Sequence, residues 1–239
     1  MHRNGYAVRM TVWERPEPPA RPVPLDRKRI AAAAVALADE GGLEAVSLRK
    51  VAARLNAGPM RLYGYISAKE ELFDLMVDEV QAEVMPKDPP GDWRVALRSF
   101  AQRTREAALR HEWLADLLGG RQALGPNGLA VAEATLAALD GVADIDTAVR
   151  AVETVSAYTT GAIRREIAHR RAERATGMSD RDWQRAAGPY LTKLLATGRY
   201  PALSRFVYEG AEANAETSFT TGLDWILDAV ATRLAEPAE

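Results

Sequence analysis

The sequence predicts an all-α protein with a small N-terminal head and a larger C-terminal helical body. Three observations carry that prediction. Alanine, leucine, arginine and glutamate dominate from Asp26 onward, and all favour helix. No stretch alternates apolar and polar residues long enough to mark a strand. Glycine and proline clusters cut the chain into helix-length pieces.

Residues 1–25 carry "ERPEPPARPVP", a polyproline-like run expected to be a disordered or extended arm. The first helix runs from about Asp26 to Glu40 and exits at Gly41-Gly42. The second spans Ser47 to Leu55, with Ser47 as its cap and Leu48, Val51, Ala52 and Leu55 inward. A short third helix is expected over Pro59 to Tyr65. The fourth begins at "SAKE", where Ser67 and Glu70 have capping-box spacing, and ends at Pro86. The proline-rich break at 86–91 marks a boundary between parts spanning 26–85 and 86–239. In the second part Asp92 caps a helix reaching about Arg110. Further helices are expected at 112–118, 128–139, 146–174, 181–197 and 214–235, with loops at 119–128 and 175–180.

The 239 residues carry a formal net charge of −2, distributed unevenly. Residues 1–69 hold 12 basic and 6 acidic side chains, a net of +6. The remainder holds 19 basic and 27 acidic, a net of −8. A basic head on an acidic body points to a polyanion as partner of the head alone. The chain has no cysteine, which excludes disulfides and thiolate chemistry and fits a cytoplasmic protein. No apolar run is long enough for a membrane span. Phosphate-loop, serine-hydrolase and zinc-protease motifs are absent, so no catalytic residue is nominated. "EIAH", Glu166 to His169, has the spacing of a di-iron carboxylate motif, but a second copy is missing. No metal or cofactor is expected.

The head's helical pattern breaks at Asn56-Ala57-Gly58-Pro59 and resumes at once. A tight turn between crossing helices needs a residue that tolerates positive φ, and Asn does so best after Gly. Pro59 falls in the first turn of the next helix, where its missing N–H costs nothing. Val51, Leu55, Ala57, Leu62 and Tyr65 form the buried set, with small Ala52 at the crossing. The unit is a helix-turn-helix, which presents its second helix to the major groove of double-stranded DNA. Pro59, Met60, Arg61, Tyr63 and Gly64 then face outward. Arg61 alone among them can bond guanine O6 and N7 bidentately. Ser47, Arg49 and Lys69 are phosphate candidates. Arg27-Lys28-Arg29 is either a minor-groove reader or an ordinary charged helix start.

The stretch "LEAVSLRKVAARLNAGPMRLYGYISAKEELFDLMVDEV" resembles the DNA-binding domain of the TetR family of bacterial transcriptional regulators. The resemblance rests on the helix-turn-helix followed by Leu62-Tyr63, Tyr65, Lys69 and Glu70-Glu71-Leu72. It implies a ligand-released repressor, a homodimer on a palindromic operator, with a body that binds a small-molecule effector. The sequence departs from the family in carrying Gly64 at a position usually large, at a helix-propensity cost of about 1 kcal/mol. Asn56 also replaces the usual turn glycine. The competing reading is a helical-bundle enzyme or small-molecule carrier without specific DNA recognition. Phe100, Trp113, Thr135, Tyr158, Thr159, Trp183 and Tyr190 are the candidate effector contacts. Phe219, Leu223, Ile226, Leu227, Val230 and Leu234 make an apolar stripe on the last helix; it is either internal core or, as the resemblance implies, the seam of a dimeric four-helix bundle, the reading favoured here.

Overall fold

The computed structural model describes residue 13 and residues 25–86, 91–120, 124–210 and 214–235, and among these every regular element is a helix. The arm at 1–25 lies outside the described residues except for Trp13 and Leu25, which both pack against the head's core. In chain order the helices are α1 (Arg27–Ala45), α2 (Leu48–Arg54), α3 (Pro59–Leu62), α4 (Lys69–Val84), α5 (Trp93–Arg110) and α6 (Leu114–Leu117). They continue with α7 (Pro126–Ala137), α8 (Ile145–Thr176), α9 (Asp180–Leu195), α10 (Pro201–Glu209) and α11 (Ala215–Ala235).

Caps explain most of the boundaries. Asp26 accepts the Arg29 N–H at 2.7 Å to start α1. Asp92 accepts from Arg94 and Val95 to start α5, and Asp144 accepts from Thr147 to start α8. Gly177, at φ 66°, closes α8 in the left-handed conformation. α1 breaks at Gly41-Gly42 as expected. Gly42 takes φ 70°, and a short helical piece then runs to Ala45.

Four expectations about where helices lie and how they start need correction. α3 ends at Leu62 rather than Tyr65, and Tyr63 to Tyr65 form a turn, so Gly64 sits outside the helix and its propensity cost disappears. No Ser67–Glu70 capping box caps α4. Its cap is Ala68, and Glu71, one residue later, accepts the Ser67 N–H at 2.6 Å. The expected loop at 119–128 ends early, because Pro126 is already the first residue of α7. The fourth correction is α10, which occupies 201–209 where no helix was expected.

Two apolar clusters organise the packing. The first joins Ile30 and Ala34 of α1, Val51 of α2, Leu62 of α3 and Leu72 and Met76 of α4. It runs on without a gap into Trp113, Leu114, Val131, Ile163 and Ile167 of the body. The helices on either side of the break at 86–91 therefore share one core, and α4 is the spine common to both parts. The second cluster joins Leu97 of α5, Val155 of α8 and Phe219, Leu223 and Leu227 of α11. The apolar stripe of α11 thus faces its own α5 and α8, which overturns its assignment to the contact between copies. Gly222 allows this approach, because a Cβ there would lie 2.2 Å from the Tyr158 Oη.

Candidate nucleic-acid interface and effector site

The helix-turn-helix is built from backbone chemistry. Asn56 has φ 51°, the only positive φ at a non-glycine among the described residues. The Ala57 N–H returns to Ala52 O at 2.9 Å, and the Arg61 N–H bonds Gly58 O at 3.0 Å. Ala52 is fully buried where α2 meets α3, so no larger side chain fits. Ser47 caps α2 by accepting the Lys50 N–H at 3.3 Å. Arg54 grips Glu40 with two hydrogen bonds, at 3.0 and 2.7 Å, tying α2 to α1. Tyr65 is buried, and its hydroxyl donates to Leu25 O at 2.6 Å.

On this scaffold the outward set is clear. Met60 is 79% exposed and Tyr63 51% exposed, far more than side chains of their size show in a core. Arg61 is half-buried between them on the same short helix, and Gly64 is exposed in the turn that follows. Pro59 is the first residue of α3 and is exposed. Arg49 is exposed in the first turn of α2. Lys69 is exposed at the first position of α4, where backbone N–H groups are unbonded within the helix. Its ammonium lies 5.1 Å from the Phe73 ring centre, which steadies it.

The seven candidate effector contacts do not converge. Phe100 and Thr135 share a pocket, completed by Val84 and Pro86 at the end of α4, Ala96 of α5, and Val131 and Ala134 of α7. This pocket is apolar and has about 10 Å³ of free volume, the room one water needs. Thr159 is buried, and its hydroxyl is satisfied by Val155 O in the same helix at 2.7 Å. Tyr158 reaches across to α11 and donates to Phe219 O at 2.8 Å. Trp183 and Tyr190 lie exposed on α9, which packs mainly on α10. Trp113 is buried at the joint between head and body, where its indole N–H donates to Asp39 Oδ1 of α1 at 2.8 Å.

That joint also holds His111, whose ring nitrogens face Asp39 at 2.8 Å and Glu83 at 3.1 Å. Burial pushes the Glu83 carboxyl up, but Arg110 and His111 outweigh it and hold the carboxyl below its ordinary value. Beside the joint runs a polar cleft of about 770 Å³, between the end of α1 and the ends of α5 and α8. Glu112 on its wall bonds Arg174, and Asp116 bonds Arg171 at 2.8 Å. Glu166 of the "EIAH" stretch pairs with Arg105 at 2.8 Å and Arg170 at 2.9 Å. Among the described residues no acidic and histidine cluster fit for a metal ion occurs. No helix among them is long and apolar enough to cross a membrane.

Sequence reasoning missed Asp78, which is 4% exposed on α4. Its carboxylate accepts the Gly128 N–H at 2.8 Å and the Asn127 side-chain N–H at 3.0 Å, both from the start of α7. Burial pushes its carboxyl above the ordinary value, against the pull of those bonds. The available signal was an acid three residues after inward Leu75, followed far along the chain by Gly-Pro-Asn-Gly.

Comparison with known proteins agrees with the geometry. Residues 30–76 match the family described as "Bacterial regulatory proteins, tetR family". Residues 85–234 match "Tetracyclin repressor-like, C-terminal domain". The chain is 37% identical over 234 residues to the HTH-type transcriptional repressor DrrR1 of Streptomyces coeruleorubidus, covering 94% of this chain and 85% of that one. It is 37% identical over 170 residues to an HTH-type transcriptional regulator of Saccharopolyspora erythraea, covering 69% and 71%. Among solved structures it superposes on ActR of Streptomyces coelicolor in complex with actinorhodin. The TM-score is 0.77 at 28% identity, over 90% of this chain and 99% of that one. With an all-helical body behind a helix-turn-helix and matches over most of its length, the chain belongs to the TetR family and is a DNA-binding transcriptional regulator.

Proposed function

We propose that the protein is a cytoplasmic, homodimeric repressor that leaves a palindromic operator when a small molecule opens its body. On this reading residues 26–85 are the DNA-reading head and 86–239 the effector and dimerisation body, with no catalytic role. The observation that carries it is the outward set of exposed Met60, half-buried Arg61 and exposed Tyr63, on and just after a second helix set by Asn56, with Lys69 at the next helix start. Arg61 reads a guanine. Met60 and Pro59 touch thymine methyls. Tyr63, Lys69, Arg49 and Ser47 hold phosphates and Gly64 lets the backbone approach.

The effector enters the pocket between α4, α5 and α7, lined by Phe100 and Thr135. Its apolar lining suits a ligand with an apolar body, and ActR, 28% identical, is a neighbour that binds a small molecule, actinorhodin. Two-fold pairing uses the faces that one protomer leaves uncovered. Trp225 is 71% exposed on α11, and Ala157, Gly161 and Ala168 line the exposed side of α8. Small residues there let two helices approach closely. Further aromatics, Trp183 and Tyr190 of α9 and Phe206 of α10, are also exposed.

The experiment is selection of bound duplexes from random DNA, followed by release with actinorhodin as the probe. The expected result is an inverted repeat with half-sites about one helical turn apart, or a multiple. A pool that stays unenriched sinks the operator reading, and unaltered binding with actinorhodin sinks that class of effector.

A further inference from the structure

Asp78 is out of place on packing grounds alone. It sits on α4 in a buried environment, near Leu75, Val80 and Val84. A buried carboxylate is stabilising only when its bonds are good, and an apolar residue of similar size is often as stable there. What Asp78 does have is the geometry of a helix cap supplied from another helix. The N-terminus of α7 has Gly125 at its cap position, with no side-chain cap bond of its own. Its first residues are Pro126, Asn127 and Gly128. A cap side chain ordinarily accepts the N–H of the second or third helical residue. Here the third, Gly128, donates to Asp78 Oδ1 at 2.8 Å, while Asn127 Nδ2 spans Asp78 Oδ2 and Asp78 O at 3.0 and 3.1 Å. Gly125 has no room for a side chain, because a Cβ would lie 2.2 Å from Asp78 Oδ1. The positive end of the α7 dipole adds to the attraction.

We infer that Asp78 is a positioning residue that locks α7 to α4, so that opening the effector pocket moves the DNA-reading head. The inference rests on the pocket assignment in the proposed function. α7 supplies Val131, Ala134 and Thr135 to that pocket, and α4 supplies Val84. α7 packs more extensively on α4 than on α5 or α8. With so little free volume between them, a ligand must push α7 away from α5. Because the start of α7 is fastened to the middle of α4, the push arrives at Asp78. α4 then carries it to Lys69 and the turn that holds α3.

The lock is tested without an effector by building a wedge into the pocket. Ala134→Phe places a ring where the ligand would enter; Ala134→Leu is the smaller wedge if the first does not fold. Affinity for the duplex that the wild-type protein selects is measured for the wedge alone and for the wedge combined with Asp78→Leu. The wedge is expected to weaken DNA binding at least tenfold in the wild-type background and less than twofold in the Asp78→Leu background. Asp78→Asn, which keeps an oxygen for the Gly128 N–H, should restore an intermediate response. A purely structural Asp78 would lower stability yet leave the wedge's effect unchanged. An equal loss in both backgrounds, or a wedge without effect, overturns the lock. Amide exchange across α4 gives the same comparison without DNA. There the wedge should speed exchange several-fold only when Asp78 is present, and equal acceleration in both backgrounds also overturns it. A protein that selects no duplex counts against the operator reading, while the exchange result still decides the lock.

Discussion

Replacing Asp39 should weaken the joint between head and body by an amount the geometry sets. Asp39 Oδ1 accepts the Trp113 indole N–H at 2.8 Å and faces His111 Nδ1 at 2.8 Å. Trp113 is 2% exposed, so with the carboxylate removed its N–H loses its direct hydrogen-bond acceptor. A buried donor left unsatisfied costs about 1–3 kcal/mol, and a hydrogen bond to a charged group is worth about 1.5–3 kcal/mol. Asp39→Ala should therefore cost about 2–3 kcal/mol. Trp113→Phe removes the same bond from the other side at a similar cost. The double variant should lose less than the sum by about 1.5 kcal/mol, because the bond can be broken only once. Urea unfolding measures all four proteins. The first apolar cluster runs through head and body, so both are expected to unfold in one transition. Single losses that add to within about 0.3 kcal/mol would show that the Asp39–Trp113 contact carries no coupling and that the reasoning is wrong.

Other outcomes follow from the same geometry. Arg61→Ala should relax preference at one base per half-site at a cost of about 1–3 kcal/mol, and selected sequences with unchanged preference at every position would count against base reading. Lys69→Ala should weaken binding uniformly and reduce the salt slope by about one per protomer, whereas an unaltered slope means no phosphate contact. Trp225→Glu should dissociate the dimer with the protomer fold intact. Sedimentation checks it, and a variant that stays dimeric removes α11 from the contact. Glu112, held down by its bond to Arg174 against burial, stabilises the fold at pH above its unfolded value. That contribution is lost as pH falls through its depressed folded value. Glu112→Gln should therefore flatten the acid side of the stability curve below about pH 4.5, and an unchanged acid limb refutes the assignment.

The parts legible in the sequence were those fixed by local backbone chemistry. Asn56 announces a positive φ, Pro59 a helix start and Asp92 a cap, because each residue type solves one local problem. Periodicity located the buried face of α11 but not its neighbour. The same stripe suits a partner copy or the protomer's own α8, and the structure chose α8. The capping box failed for a related reason. "SAKEE" offers two glutamates at helical spacing from Ser67, and the one that reaches its N–H is Glu71. α10 went unseen although the signal was there, Leu203, Phe206 and Val207 at helical spacing behind Pro201; in the structure none of its residues is buried. The candidate effector residues scatter because aromatic identity does not say which cluster a ring joins. Trp113, Tyr158 and Trp183 ended in three different places.

If the effector enters the pocket between α5 and α7, as proposed, the tightness of that pocket sets how selectively the switch can be thrown. A ligand would meet no ready-made cavity there and bind only the fraction of molecules that have parted those helices. Its apparent affinity falls in proportion to that fraction, so an open share of about one in a hundred weakens every ligand about a hundredfold. Compounds with marginal contacts are thereby screened out, and only one whose contacts greatly exceed that handicap elicits a response. Trimming Phe100 lowers this threshold, while a larger side chain at Val131 or Thr135 would, like the Ala134 wedge, part the helices without a ligand. Sensitivity and background are then governed by the same few side chains, and neither is adjusted without the other.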